Sequence, residues 1–166
     1  RQRQMCIRDR IEITRFADKS IEVKDNGRGI PMGYNENEKR YNWELVFCEL
    51  YAGGKYKNNT GGDYEYSLGL NGLGACATQY SSEYMDVEVL RDGYKYELHF
   101  EAGENIDGMK KTKFRHRHTG TTIRWKPDIK VFTDIDIPLD FYKETLRRQA
   151  VVNSGVKSVS YTHLTL

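Results

Sequence analysis

The residues best suited to chemistry lie in two glycine-rich stretches, each beside a predicted regular element. The first is Asp25-Asn26-Gly27-Arg28-Gly29-Ile30-Pro31, where a predicted strand ends. A carboxylate at a strand end can accept hydrogen bonds from an exocyclic amine, and glycines behind it let a flat ring approach the backbone. A plain Asn-Gly turn explains the same residues when they are taken alone. The stretch is therefore a candidate base-binding turn, with a structural turn as the alternative.

The second stretch is Gly69-Leu70-Asn71-Gly72-Leu73-Gly74, at the start of a predicted helix. Successive backbone N–H groups near a helix N-terminus can hold an anion, and glycines remove side chains that would block a phosphate. The spacing is G-x-x-G-x-G, which differs from the dinucleotide fingerprint G-x-G-x-x-G, and the chain has no G-x-x-x-x-G-K-[ST]. Rossmann and P-loop sites are thereby disfavoured.

One cluster of basic residues is a third candidate: Lys110, Lys111, Lys113, Arg115 and Arg117, with His116 and His118 between them. The formal net charge is +2, but residues 1–10 contribute +3 of it, so the body of the chain has no broad basic face. Such a cluster is typical of a solvated hairpin or loop, and a contact to phosphates is the alternative. The two histidines are disfavoured as metal ligands because no further ligand lies at a suitable spacing.

Composition excludes several protein classes. A chain of 166 residues is long enough for one domain with a core. No apolar run approaches the ~18 residues of a membrane span, and the first residues lead into no signal-peptide core. Three cysteines, Cys6, Cys48 and Cys76, without C-x-x-C spacing favour neither a disulfide framework nor a zinc site. We therefore expect a soluble cytoplasmic protein with no membrane partner.

The first half of the chain must supply elements that position the Asp25 turn. Residues 11–16 and 20–25 alternate apolar and polar side chains, which predicts a β-hairpin. Residues 42–50 carry apolar side chains at i, i+3, i+4 and i+7, which predicts a helix with one buried stripe: Trp43, Val46, Phe47 and Leu50. Residues 53–74 are rich in glycine and poor in aliphatics, which is typical of a long lid or binding loop.

The second half is predicted to add a helix, more strands and a last helix. Residues 73–80 form the helix, and residues 84–91 and 94–101 form a hairpin around Asp92-Gly93, with Tyr94, Tyr96, Leu98 and Phe100 on one face. Residues 121–125 form a strand before Pro127, and residues 139–152 an amphipathic helix with Leu139, Tyr142, Leu146 and Ala150 on one side. This order predicts an α/β (α+β) fold: a two-layer sandwich with helices on one face of a mixed, mostly antiparallel sheet.

Four motifs in a fixed order make the pattern specific: DNGRGIP, AGGK, SLGLNGLG and TGTTIRWKP. Over residues 11–156 they resemble the ATPase region of the B subunits of bacterial gyrase and topoisomerase IV, members of the GHKL superfamily. Histidine kinases, MutL and heat-shock chaperones share the DxGxG turn, but AGGK and the TGT strand favour the topoisomerase branch. The resemblance implies a GHKL-type sandwich that binds ATP within an enzyme that changes DNA topology by strand passage.

The resemblance also implies roles for single residues. Asp25 would bond the adenine amino group, with Thr121 supporting that contact directly or through water. Gly29 would lie against the base, and the adenine pocket would be lined by Arg28, Ile30 and Pro31, with Arg28 stacking over the ring. The phosphates would be held beneath a closing lid by Lys55 and the backbone of Leu70, Gly72, Leu73 and Gly74. Asn71 stands where many gyrases have His.

The family's hydrolytic machinery is expected outside this chain. A glutamate that activates water and an asparagine that holds Mg²⁺ would lie on a helix before the first strand, and residues 1–10 contain neither. No catalytic residue and no metal ligand is therefore predicted here, although ATP and Mg²⁺ are the implied cofactors. The strings MCIRDR and SYTHLTL resemble translated sequencing-adapter read-through. We expect a partial domain over residues 11–156, truncated at both ends, with non-native tails at 1–10 and 157–166.

For the whole enzyme, the resemblance implies DNA as substrate, an A-type subunit as partner and dimerisation of the ATPase domain on ATP binding. One alternative is a GHKL module that switches shape on nucleotide binding without hydrolysis, as a clamp does. Another is a nucleic-acid-binding module built on residues 110–118. Changes in plasmid topology separate the enzyme from the first alternative, and salt-sensitive DNA binding by this chain alone would favour the second.

Overall fold

A computed structural model describes residues 10–52, 72–115, 118–152 and 157–163. The elements within these ranges run β1 (Arg10–Phe16), β2 (Ile21–Asp25), β3 (Tyr34–Asn35), β4 (Arg40–Tyr41), α1 (Asn42–Phe47), α2 (Gly74–Tyr80), β5 (Ser82–Arg91), β6 (Tyr94–Glu101), β7 (Glu104–Lys113), β8 (Gly120–Pro127), α3 (Leu139–Val152) and β9 (Lys157–His163). None of the helices in the described part of the chain is long and apolar enough to cross a membrane.

Seven strands form one sheet in the order β7-β6-β5-β8-β2-β1-β9, and β3 pairs with β4 separately. All neighbours in the large sheet are antiparallel except β1 and β9, which are parallel. The mixed, mostly antiparallel α/β fold predicted from the sequence is confirmed. Because β8 lies between β5 and β2, the end of β2 and the start of β8 are brought side by side.

Both predicted hairpins are confirmed. β1 and β2 pair with Ile13 opposite Val23. β5 and β6 pair around Asp92 and Gly93, whose φ values of 52° and 77° suit a tight two-residue turn. Tyr96, Leu98 and Phe100 alternate toward the interior, as their period of two predicts.

The core lies between one face of the sheet and the helices α1 and α2. Phe47 of α1 is fully buried, and its ring centroid lies 5.8 Å from that of Phe100 on β6. Trp43 meets the same phenylalanine edge-on at 6.2 Å. The buried cluster consists of Met32, Phe47, Met85, Val87, Val89, Tyr96, Leu98 and Phe100. Burial of these apolar side chains is the main force that holds the helices on the sheet.

The prediction that Leu50 belongs to the buried helical stripe is wrong. Helix α1 ends at Phe47, and the side chain of Leu50 is 52% exposed. The stripe holds only while the helix continues, and Tyr51 already has a positive φ of 60°. Leu45, which lies off the predicted stripe, is fully buried instead.

Strand β7 was not predicted, although the basic cluster was assigned to a hairpin or loop. It pairs with β6 after a two-residue turn at Ala102 and Gly103, and residues 110–113 are its last four positions. On this outermost strand eight of the ten residues are exposed, so its sequence lacks the alternation that marks a half-buried strand.

Three further predictions have mixed outcomes. Helix α3 has the predicted bounds, with Leu139, Tyr142 and Leu146 half-buried, but Ala150 is exposed. Residues 157–163 form β9 beside β1, so they occupy a regular strand, and their proposed non-native origin stays a prediction. Of the long glycine segment, residues 53–71 lie outside the described residues.

The face of the sheet opposite the helices carries a charged cluster centred on His99. The Nδ1 atom of His99 lies 2.6 Å from Asp86 Oδ1, and its Nε2 atom lies 3.2 Å from Glu101 Oε1. The hydrogen bond to Asp86, and then that to Glu101, raises the pKa of His99 above the ordinary value of 6.5. Protonated His99 therefore links β5 to β6.

We expect this link to make stability depend on pH. Because the folded-state pKa is raised, the contribution is fully present below about pH 6.5 and is lost as pH rises through the folded pKa. It should stay below about 1 kcal/mol because the partners are largely exposed. Urea unfolding of wild type and His99→Gln from pH 5 to 9 measures it. The same difference at all pH values would contradict the assignment, and Asp86→Asn should remove most of the pH dependence.

Candidate functional site

The carboxylate of Asp25 joins the end of β2 to the start of β8. Its Oδ1 atom accepts hydrogen bonds from the Gly27 N–H at 2.8 Å and from the Thr121 N–H at 3.3 Å. The buried hydroxyl oxygen of Thr121 in turn accepts from the Ile30 N–H at 3.2 Å. These hydrogen bonds connect two motifs that are distant in the sequence. Asp25 and Ile30 belong to DNGRGIP, and Thr121 belongs to TGTTIRWKP.

Two glycines allow this close approach. Gly29 has a φ of 76°, and a Cβ atom there would lie 2.9 Å from the carbonyl oxygen of Leu90. Gly120 has a φ of 154°, and a Cβ atom there would lie only 2.2 Å from the carbonyl oxygen of Asp25. Backbone packing of the turn against β5 and β8 therefore requires both residues to lack a side chain. The sequence placed Gly120 in the TGT motif but assigned it no role.

Arg91 supports the turn and was missed by the sequence analysis. Its Nη1 atom donates a 2.6 Å hydrogen bond to the carbonyl oxygen of Gly29, and its Nε atom donates to Asp92 Oδ2 at 3.1 Å. The guanidinium thereby connects the tip of the β5–β6 hairpin to the DNGRGIP turn by a hydrogen bond. No spacing rule signals this contact, because the acceptor is a backbone oxygen 62 positions away.

An apolar cavity of about 210 Å³ lies between the sheet and α2. Val23 and Ile123 line it, and each is two positions along its strand from Asp25 or Thr121, so these side chains share a face. The remaining lining residues are Phe47, Gly74, Ala75, Thr78, Met85 and Trp125. The alternation of side chains along β2 and β8 could have predicted that Val23 and Ile123 lie on the same face as Asp25 and Thr121.

The other predicted site residues differ in their burial, and some of them lie outside the described residues. Arg28 is exposed, and Pro31 is half-buried before the fully buried Met32. Gly72 and Leu73 are half-buried directly before α2, and Gly74, the first residue of α2, borders the cavity. Lys55, Leu70 and Asn71 lie outside the described residues. Of the described site candidates, Gly74 lines the cavity, whereas the residues of the Asp25 turn do not.

Other chemistries have little support in residues 10–52, 72–115, 118–152 and 157–163. No group of three or more His, Cys, Asp or Glu side chains there could hold a metal ion. Cys48 and Cys76 are free, and burial raises the pKa of both thiols, that of Cys48 to about 11. Both are therefore held in the less nucleophilic thiol form.

A second depression, of about 360 Å³, lies among charged side chains on the opposite face of the sheet.

Comparison with known proteins gives a consistent result. No family model matches the chain. It is 36% identical over 149 residues to the B subunit of DNA gyrase from Thermotoga maritima, and the match covers 90% of this chain and 23% of that protein. It is 34% identical over 149 residues to the B subunit of DNA topoisomerase 4 from Haemophilus influenzae, covering 89% and 23%. The chain is a homologue of gyrase B and topoisomerase IV B subunits.

A solved structure is also similar to this chain. The fold matches the topoisomerase IV ATP-binding domain of Francisella tularensis, solved with a small-molecule inhibitor, with a TM-score of 0.72 and 28% identity. That match covers 92% of this chain and 70% of the solved one. The chain spans less than a quarter of the length of the curated topoisomerase subunits it matches. The matched region is therefore one part of each of those subunits.

We expect Gly120→Ala to destabilise the protein by about 1–3 kcal/mol, because the new methyl group would collide with the backbone of Asp25. Gly33→Ala is the matched control, since a Cβ atom at Gly33 meets nothing within 4 Å. Urea unfolding of the two variants measures the difference. Equal midpoints for both variants would show that β2 and β8 are not packed this closely.

Proposed function

We propose that this chain is the ATP-binding part of an ATP-dependent type II DNA topoisomerase. The observation that carries the proposal is the Asp25 carboxylate, held by two backbone N–H groups on the sheet face where Val23 and Ile123 line an apolar cavity. An acceptor beside apolar walls suits a flat base that carries an exocyclic amine. The homology to topoisomerase B subunits supports the same assignment.

The described residues fit the adenine part of the nucleotide. The base would lie over Val23 and Ile123, which are paired on β2 and β8, with its amino group directed at Asp25 and Thr121 beside it. The volume of about 210 Å³ is smaller than the ~300–1,000 Å³ of typical ligand sites, so it suits a base and not a whole nucleotide. Gly29 would lie along the ring, and Arg28, Ile30 and Pro31 at the mouth of the pocket.

The phosphates would lie toward the start of α2. Gly74 borders the cavity, and Gly72 and Leu73 precede it, so their backbone N–H groups would be near a nucleotide whose base is held at Asp25. Lys55 and the backbone of Leu70 and Asn71 complete the proposed phosphate site by resemblance. Bound Mg²⁺ would neutralise phosphate charge, and its protein ligand and the catalytic glutamate would come from a helix upstream of β1, as the resemblance implies.

In the whole protein, ATP binding would close a dimer of these domains around DNA, and hydrolysis would reopen it. An A-type subunit would supply DNA cleavage, and the enzyme would act in the cytoplasm. A nucleotide switch without strand passage is the weaker reading, because the relatives are topoisomerase subunits.

Asp25→Asn should weaken ATP binding at least about tenfold, since a hydrogen bond to a charged group contributes about 1.5–3 kcal/mol. The asparagine oxygen can keep the contacts to the Gly27 and Thr121 N–H groups, while the amide adds N–H donors that oppose an adenine amine. Calorimetric titration of ATP and GTP into wild type and variant measures affinity and base preference. Asp140→Asn on the exposed first turn of α3 is the control. Unchanged ATP affinity in Asp25→Asn would refute the adenine site.

The full-length subunit, combined with its A-type partner, should change the topology of supercoiled plasmid only when ATP is present. Gel analysis of topoisomers measures this. Asp25→Asn should reduce the rate in the same proportion as ATP affinity at subsaturating ATP. ATP binding without any topoisomer change would favour the nucleotide-switch alternative.

A further inference from the structure

The outer strand β7 carries a concentrated positive charge. We call Lys110, Lys111, Lys113 and Arg115 the basic edge; all four side chains are exposed. Lys110, Lys111 and Lys113 belong to β7, and Arg115 follows it closely. Among the described strands, β7 has a sheet neighbour only in β6, so its other side is open to a partner.

Nearby negative charge differs between the two faces of β7: Lys110 lies opposite Glu97 on the face with the charged depression, whereas Lys111 and Lys113 lie on the other face, opposite Tyr96 and Tyr94. Elsewhere on the sheet lysines are paired closely: Lys95 lies 2.9 Å from both Glu88 and Glu97. The ion pair of Lys110 within the described ranges is the longer one to Asp107, at 3.8 Å. In the same part of the chain, Lys111, Lys113 and Arg115 form no ion pair.

Aromatic rings hold part of the basic edge in place. Lys111 and Lys113 lie opposite Tyr96 and Tyr94, and the Lys111 ammonium lies 4.1 Å from the centre of the Tyr94 ring. A cation–π contact fixes the position of an ammonium without cancelling its charge. Side chains two positions apart on a strand lie about 6.7 Å apart, which equals about two base-pair steps of 3.4 Å along a DNA strand.

We propose that the basic edge is a docking surface for the phosphate backbone of duplex DNA. The choice of DNA among polyanions rests on the proposed function, whereas the site itself rests on unpaired charge and spacing. The surface is connected to the nucleotide turn through the β5–β6 hairpin, because the Phe114 N–H donates to the Gly93 carbonyl oxygen at 2.8 Å and Arg91 donates to that of Gly29 at 2.6 Å. A structural alternative is that lysines on an edge strand only prevent pairing with another sheet.

The test measures fluorescence anisotropy of a labelled duplex of about 30 base pairs with the 166-residue chain, without nucleotide, at salt concentrations from about 50 to 200 mM. Lys111→Gln/Lys113→Gln should bind about tenfold or more weakly at low salt, and the slope of log affinity against log salt should fall by about two. Lys130→Gln/Lys143→Gln is the matched control, because it removes equal charge from a turn and from α3. Circular dichroism confirms that each variant is folded.

Several outcomes overturn the proposal. The proposal is wrong if the folded wild type does not bind the duplex, or if both double variants bind it equally. The lysines of β7 would then serve only to prevent pairing with another sheet. Tighter lysine-dependent binding of polyglutamate than of duplex assigns the surface to an acidic protein. Lys113→Gln alone should lower the slope by about one, which keeps the test valid if the double variant fails to fold. Asp25→Asn should keep wild-type DNA affinity, so loss of ATP binding with intact DNA binding counts only against the nucleotide site.

Discussion

The contact between the end of β2 and the start of β8 is the constraint on which the candidate site depends. Asp25 there accepts hydrogen bonds from its own turn and from Thr121, and Gly120 leaves no room for a side chain between the two strands. The sheet order makes this possible, since β8 lies between β5 and β2. The carboxylate is therefore oriented by the fold before any ligand arrives, which lowers the ordering cost of binding.

The same contact connects the turn to distant elements. Arg91 fastens the β5–β6 hairpin to the carbonyl oxygen of Gly29, and Gly93 in that hairpin accepts a hydrogen bond from Phe114 beyond β7. A shift of the turn would thus be resisted by the hairpin and by the strand that carries the basic edge. The β5–β6 hairpin therefore joins the turn to the end of β7 through two hydrogen bonds.

The sequence predicted the elements that depend on neighbouring residues, and it did not predict the pairing of strands that are distant in the chain. Hairpins β1–β2 and β5–β6 follow from alternation and turn residues within a few positions. The placement of β8 between β5 and β2 joins residues far apart in the chain, and no single-sequence pattern encodes such a partner. Strand β7 escaped prediction because an exposed edge needs no apolar alternation, and Leu50 was misplaced because the helix ended one turn early. Asp25 and Thr121 were predicted as site residues through their motifs, whereas Arg91 carried no such signal because its acceptor is a backbone oxygen.

The division between recognition and charge follows from the physics of the two interactions. A base is distinguished by directional hydrogen bonds, which need an acceptor fixed within a few tenths of an ångström, and the centre of a sheet supplies that rigidity. Phosphates are held by charge, which falls off slowly with distance and tolerates varied geometry. Exposed lysines on an edge strand meet the second need, and a buried Thr121 beside Asp25 meets the first. The proposed base acceptor thus lies at the interior strands β2 and β8, and the proposed phosphate-binding charge lies at the outermost strand β7.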